Sequence, residues 1–434
     1  MRQAVVIIHG IGEQKPMDTI RSFINAVIED APKAKDKKYW NEPDNLSELF
    51  DLRKYTTNRN HAIKTDFYEY YWAHLMDGTR VSHNFSWLRT ILFTIPWSVP
   101  NRLLPIWSIV WLLLIAGSYF LFQAIHPIGH MHFEESMNNA LLSAGIFLIL
   151  TYFINKIFAY LSYAGRYFSA APSNVEIRQK IRTKGVQFLR KLHKSQKYSR
   201  IILVGHSLGS VIAYDLLKFL WTDYYLESYD HANVNQINLK NLQDLIQQGV
   251  NNTNIATFQE IQSLLWQEQR NLGNPWLISD LITLGSPLAH AAYLSASSIN
   301  DLKERQAERE LPTCPPLLEE GKFLFTSHTG ENAIPYPKKL HHAALFAPTK
   351  WTNLYFQGDL IGGALAPIFG KGILDIPVIA KTKIGTYLPT SHLKYWEALN
   401  STHPCNKHPF STFVLRKVLN LTGLNWMPKI RVQE

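Results

Sequence analysis

Short runs of β-branched and apolar residues recur along this chain, each closed by glycine or a polar turn, with helical spacing between them. Val5 to Ile8 runs into His9-Gly10-Ile11-Gly12, which predicts a strand ending in a tight glycine loop. Asp18 to Glu29 carries Ile20, Phe23, Ile24, Val27 and Ile28 on one helical stripe. Thr65 to Trp72 alternates as a strand, Ile177 to His193 is a basic amphipathic helix, and Ile201 to Val204 is a strand leading into a helix from Ser207 to Leu220. Leu277 to Leu284 and Trp351 to Phe356 read as two more buried strands. Lys33 to Asn60 is polar enough for a surface excursion, and the Asn- and Gln-rich insertion near 224–270 carries helical patches with no clear placement. Strands alternating with helices predict an α/β fold, mainly a parallel sheet covered on both faces.

One stretch breaks that pattern. Leu103 to Ile125 carries no charged residue, long enough to cross a hydrocarbon core of about 30 Å. A second uncharged run covers Ala140 to Asn155, and apolar character resumes after Lys156. The connection between them has no Lys or Arg, whereas Arg80, Arg89 and Arg102 precede the pair and Arg166, Arg178, Lys180, Arg182 and Lys184 follow it. That asymmetry predicts two transmembrane helices, 103–125 and 140–162, with both outer flanks cytoplasmic. Trp87 to Val99 would lie in the interface. The alternative is a pair of buried core helices, which Lys156 favours. The expected organisation is a first core segment at 1–80, a membrane-associated insertion at 81–166, and the rest of the core at 167–434. The protein would then be multi-pass, with its catalytic domain on the cytoplasmic face.

Composition adds two constraints. With 46% hydrophobic residues in 434 the chain is no disordered polymer, and its two cysteines, Cys314 and Cys405, form no disulfide framework. The net charge of +10 calls for an anionic partner. The basic residues cluster beside the apolar pair and no nucleic-acid signature accompanies them, so anionic headgroups of membrane lipids are the expected partner and nucleic acid is not. His126, His130 and His132 could ligate a metal, but beside Pro127 and Gly129 they read as solvated loop histidines. No metal and no cofactor is expected.

The sharpest chemical signal is Gly205-His206-Ser207-Leu208-Gly209, placed between a β-branched strand and a helix. That is the form of a nucleophile elbow: Ser207 on a strained turn, Gly205 and Gly209 where a side chain would clash, and a helix N-terminus facing developing negative charge. With VVIIHGIGEQ and DLITLGSPL, the stretch GHSLGSVIAYD resembles the α/β-hydrolases of the serine esterase and lipase type, outside the apolar hairpin and the polar insertions. The resemblance implies an α/β-hydrolase fold interrupted by the hairpin, and a triad in the order Ser, acid, His. Asp359, closing WTNLYFQGD, resembles the acid, and His392, in SHLKYW, the base; Asp375 is the rival acid, His403 and His408 the rival bases, and His341-His342 would precede the acid. Leu208 and Ile11 would supply the oxyanion N–H groups, with Gly10 and Gly12 shaping that loop, while His9 and His206 would serve local packing. The expected activity is a membrane-anchored serine hydrolase cleaving a carboxylic ester, its substrate lipidic because a tethered site faces lipid. The alternative is a catalytically silent membrane scaffold of the same fold.

Overall fold

The computed structural model describes residues 2–11, 15–28, 39–47, 49–57, 63–76, 96, 99, 104–126, 137–150, 152, 167–168, 172–225, 236–296, 298–318, 321, 324–325, 339–380, 383–387, 389–396, 414–415 and 418–419. The chain divides into two compact units, Met1–Leu75 with Gln179–Glu434, and Met76–Arg178.

The first unit is built on a sheet of eight strands: β1 (Arg2–Ile8), β2 (Tyr39–Pro43), β3 (Arg53–Thr57), β4 (Lys64–Tyr70), β5 (Arg200–His206), β6 (Ile278–Leu284), β9 (Lys350–Phe356) and β10 (Leu374–Val378). Two short strands, β7 (Leu324–Phe325) and β8 (Lys339–Leu340), pair separately. The order across the main sheet is β10-β9-β6-β5-β1-β4-β3-β2. All pairings from β10 to β4 are parallel, and β3 and β2 add antiparallel at one edge. This is an α/β fold on a mixed, mostly parallel sheet. From β1 the chain builds outwards to β4 on one side and, from β5, to β10 on the other. The direction of building therefore reverses between β1 and β5, and at such a switch point the loops leave a crevice at the carboxyl ends of the strands.

Burial explains why the strands read as unbroken apolar runs. Ala4 to Ile8 and Ile201 to Val204 are all at most 1% exposed, so both faces are covered. On one face the helix Asp18–Val27 lays Ile20, Phe23, Ile24 and Val27 against Val5, Ile7 and Phe67. On the other, the helices Pro172–Lys194 and Leu208–Tyr224 meet closely: a Cβ on Gly185 would come within 2.6 Å of the Leu216 methyls. An aromatic cluster of Tyr214, Phe346, Trp351 and Phe369 packs there, with Trp351 stacked on Phe346 at 4.7 Å and its Nε1–H donating to Thr283 Oγ1 at 3.1 Å.

At the opposite edge of the sheet from the crevice, two buried carboxylates tie strand starts together. Asp66 of β4 takes Arg2 at 2.5 Å, the Tyr198 hydroxyl at 2.6 Å and Thr56 Oγ1 at 2.9 Å. Asp280 of β6 takes Arg200 at 2.6 Å and Lys350 at 3.1 Å. Burial alone would raise the Asp280 carboxyl, but Lys350, Arg200 and the Ser279 hydroxyl outweigh it and hold the group ionised far below the usual carboxylate range.

Three expectations are corrected. The polar stretch 33–60 is not a plain excursion, because it contributes β2 and β3 to the sheet edge. The Asn- and Gln-rich insertion holds two helices, Ile237–Gln248 and Ile255–Asn271. Its glutamines are structural: Gln262 Nε2 donates to Phe346 O at 2.6 Å inside the core, so a polar letter occupies a buried position and blurs the apolar period.

The third correction concerns the membrane. In the second unit the first uncharged run is the helix Leu104–Ile125, and a further helix covers 137–150. Ser143 Oγ donates to Gly117 O at 3.0 Å, and a Cβ on Gly117 would lie 3.1 Å from Phe147 Cζ, so the two helices pack closely on their small residues. Ile109, Leu112 and Ile115 stay exposed. Among the described residues no helix is long and apolar enough to cross a membrane. The two spans at 103–125 and 140–162, the multi-pass localisation and the cytoplasmic placement that followed from them are therefore overturned. An uncharged run is not a uniformly apolar one: Ser108, Gly117, Ser118, Tyr119 and Gln123 are spread along the first helix. The described part of the second is shorter than the roughly 20 residues a span needs. The interfacial segment expected at 87–99 lies almost wholly outside the described residues.

Trp351→Ala is expected to lower stability by about 3–5 kcal/mol, as truncation of a fully buried aromatic leaves a cavity and here also strips Thr283 of a donor. The check is the shift in urea midpoint at unchanged m-value.

Candidate active site

β5 ends at His206, and the next residue turns the chain sharply into the helix Leu208–Tyr224. Ser207 takes φ 53° and ψ −130°, a backbone conformation that costs energy for any residue with a Cβ. Neighbouring glycines make the turn possible. A Cβ on Gly205 would lie 2.5 Å from Ser210 Cα, and one on Gly209 only 2.2 Å from the Ile8 carbonyl oxygen. Ser207 N–H donates to Leu284 O at 2.9 Å, and Ser210 Oγ lies 2.6 Å from Ser207 O and 2.7 Å from Ser286 Oγ. The turn is therefore held from β6 as well as from its own helix.

The loop after β1 comes directly against it. A Cβ on Gly10 would stand 2.8 Å from Ser207 Cβ, so only glycine fits between loop and elbow. His9, fully buried, stacks on Trp72 at 4.9 Å with the ring planes 6° apart. Trp72 Nε1–H donates to His9 O at 2.9 Å and Trp72 N–H to His9 Nε2 at 3.3 Å. Nε2 is then the acceptor, which leaves the proton on Nδ1 for the Gly10 carbonyl at 2.8 Å. Burial pushes this imidazole down to about 4, so it stays neutral at physiological pH. Holding the Gly10 carbonyl towards His9 turns the N–H of Ile11, on the same planar trans peptide, the opposite way. Leu208 opens the helix, and its N–H is among those with no partner inside it. Gly12 lies outside the described residues.

The candidate acid and base come from the turns after β9 and near residue 392. Asp359 follows β9, and His392 sits in the 3₁₀ turn Pro389–Leu393. His392 Nδ1 lies 2.9 Å and 3.0 Å from the two Asp359 oxygens. Asp359 Oδ1 also accepts from the N–H groups of Ile361 and Gly362 at 2.9 Å and 3.0 Å, and Oδ2 from the Tyr395 hydroxyl at 2.8 Å. Burial alone would raise this carboxyl; its bond to His392, with Gly362 and Tyr395, holds it at about 2 instead. Gly285, at φ 57°, passes so close that a Cβ would be 2.9 Å from Asp359 Oδ2 and 3.0 Å from His392 Nδ1. The elbow reaches this pair through His206, whose ring stacks on His392 at 5.1 Å and whose Nε2 lies 3.1 Å from the His392 carbonyl oxygen. Among the described residues no hydrogen bond joins Ser207 Oγ to His392. In unliganded hydrolytic sites that bond is often long.

The rival residues have other work. Asp375 lies within β10 and accepts the N–H groups of Leu365 and Ala366 at 2.9 Å and 2.8 Å and Asn353 Nδ2–H at 2.7 Å, fixing the loop after Asp359. His341 bonds to the Leu317 carbonyl and to Ala343 N–H. His403 and His408 lie outside the described residues, as do His130 and His132. Sequence reading missed the hydroxyl of Tyr395 and the clamp of Trp72 on His9. Tyr395 stood three residues past the histidine, an aromatic whose hydroxyl a buried carboxylate can use; Trp72 gave no sequence signal at all.

Compared with known proteins, the sequence matches no family model, no curated protein and no solved structure. The resemblance to the esterase and lipase family with an inserted hairpin is accordingly corrected: no family match carries it, and among the described residues the hairpin contains no spanning helix.

Asp359→Asn is expected to narrow the stability of the protein in a pH-dependent way. The native carboxyl sits near 2 and an unfolded one near 3.9, so the ionised form adds stability of about 2 kcal/mol above pH 5, and this is lost as pH falls towards 2. Denaturation midpoints of both proteins between pH 7 and pH 2 check it: the gap should be widest at neutral pH and shrink on acidification.

Proposed function

We propose that this chain is a serine hydrolase that cleaves a carboxylic ester through an acyl-enzyme. The observation that carries the reading is the buried Asp359–His392 pair, bonded at 2.9 Å and packed against an elbow that holds Ser207 at φ 53°. The finer reading of the fold, as that of the α/β-hydrolases, rests on the same arrangement: elbow after β5, acid after β9, base near the chain's end.

In this reading His392 Nε2 takes the Ser207 proton as Oγ attacks the ester carbonyl, and the carbonyl pair moves onto oxygen. The N–H groups of Leu208 and Ile11 receive that oxyanion. On collapse the alkoxide leaves with the proton from His392, and water then repeats the sequence to release the acid. Asp359 keeps Nδ1 protonated and balances the imidazolium. The expectation of a lipidic ester rested on the membrane hairpin and falls with it, so the acyl and alcohol parts stay open. The silent-scaffold alternative becomes an outcome of the test.

Ser207→Ala should abolish both labelling by a fluorophosphonate and hydrolysis of p-nitrophenyl acetate, with turnover down at least about a thousandfold. Asp375→Asn should keep activity within about tenfold, because its carboxylate serves a loop rather than the imidazole. Absence of labelling in folded wild-type protein would select the silent scaffold.

A further inference from the structure

The segment that delivers His392 also delivers a second donor to the same carboxylate. Tyr395 lies three residues further on, fully buried, and its hydroxyl donates to Asp359 Oδ2 at 2.8 Å. That is the oxygen His392 Nδ1 meets at 2.9 Å. Phe356 N–H, at the end of β9, donates to the Tyr395 oxygen at 3.1 Å, so the hydroxyl proton is turned away from β9 and towards the carboxylate.

Both partners are held in place. The Tyr395 ring lies 4.6 Å from that of Phe356 and 5.5 Å from that of His206. A Cβ on Gly285 would stand 2.7 Å from Tyr395 Cε2, 2.9 Å from Asp359 Oδ2 and 3.0 Å from His392 Nδ1. One stretch of backbone thus bears on all three groups and fixes their spacing. Asp359 Oδ1 accepts from the N–H groups of Ile361 and Gly362, which keeps Oδ2 between the two side-chain donors.

Sharing one oxygen has an electrostatic consequence. Charge that Oδ2 gives to a phenol proton is charge it does not give to an imidazole. Tyr395 is one of the groups that hold Asp359 ionised at about 2 against its burial. Among the described residues, the titratable groups about His392 are Asp359 after β9, His206 at the end of β5 and Tyr395 on its own segment, with His9 beyond His206. Burial keeps His206 and His9 neutral, so of these groups the Asp359 carboxylate alone brings charge.

We propose that Tyr395 is a positioning residue: by donating to the oxygen that His392 uses, it loosens the Asp359–His392 bond and lets the imidazole release its proton. A base gripped too firmly by its carboxylate takes the serine proton readily but gives it up slowly to the leaving group. The inference rests on the serine-hydrolase reading for its kinetic meaning, and on the geometry alone for the bond itself.

Tyr395→Phe removes one oxygen, keeps the ring and provides the test. The acid limb of kcat/KM for p-nitrophenyl acetate should move up by about half a pH unit. In the Asp359→Asn background the same substitution should leave the limb in place, because the shared charge is gone. A second readout needs no turnover: in the Ser207→Ala protein, the NMR resonance of the His392 Nδ1 proton should move downfield on Tyr395→Phe as its bond to Asp359 tightens. If folded wild-type protein shows neither hydrolysis nor fluorophosphonate labelling, the hydrolase reading falls and the resonance alone decides on Tyr395. If hydrolysis proceeds but the limb or the resonance stays put or moves the opposite way, the Tyr395 proposal is overturned and the hydrolase reading stands. A limb shift that persists in Asp359→Asn overturns it equally. Should Tyr395→Phe fail to fold, 3-fluorotyrosine at position 395 decides as a stronger donor: limb and resonance should then move in the reverse directions, and absence of that movement overturns the proposal.

Discussion

Gly209 packs so closely on β1 that a single methyl at its Cα would sit 2.2 Å from the Ile8 carbonyl oxygen and 2.4 Å from that of His9. This contact joins the ends of the two central strands, and much else follows from it. It brings the first turn of the helix after β5 down onto the loop after β1. Ser207 must then turn at positive φ to enter that helix, and Gly10 must lack a side chain to pass the serine. The elbow and the loop after β1 are thus one packing arrangement, located where the direction of sheet building reverses. A substitution at Gly209 would be felt by both loops at once.

The two edges of the parallel sheet divide the labour. At the amino ends, Asp66 and Asp280 hold cations and hydroxyls in tight clusters that tie neighbouring strand starts together. At the carboxyl ends Ser207, Asp359 and His392 are gathered by the turns that follow β5 and β9 and by the 3₁₀ turn Pro389–Leu393. Asp359 and Asp375 show how partners, not residue type, decide a carboxylate's work. Asp375 spends its lone pairs on the N–H groups that shape a loop, whereas Asp359 turns one side to the loop and the other to an imidazole. Residue type could not separate them; the partner of each oxygen does.

How much was legible in the sequence follows from what each signal depends on. Buried parallel strands are mostly apolar, so β1 and β5 stand out as β-branched runs and β6 and β9 as short apolar and aromatic ones, and the GHSLG turn is visible because close backbone approach leaves no residue but glycine. The edge strands β2 and β3 were illegible because one side faces water and their composition, YWNEP and RKYTT, is that of a loop. The helices at 237–271 were hidden by glutamines that bury their amides on backbone carbonyls. The uncharged runs after residue 103 are misleading for a related reason: absence of charge is not uniform apolarity, and serines, glycines and a glutamine lie between the large side chains. The Trp72 clamp depends on contacts between distant segments, which no local pattern carries.

Three imidazoles crowd the crevice, and their surroundings assign them different chemistry. His9 is enclosed by Trp72 and a backbone carbonyl, and burial holds it near 4. His206 is buried beside His392, and burial first, then the neighbouring ring, press it down to about 3. Both are therefore neutral at any pH where an ester hydrolase would work, and each can serve as a fixed dipole but not as a proton store. His392 alone of the three has a carboxylate on its Nδ1, so its charged form has a counter-charge already in place. If His392 is the base, two neutral rings beside it keep like charge away from an imidazolium there. The aromatic and histidine packing around the elbow thus keeps His9 and His206 neutral, and leaves His392 as the ring of the three that has a carboxylate beside it.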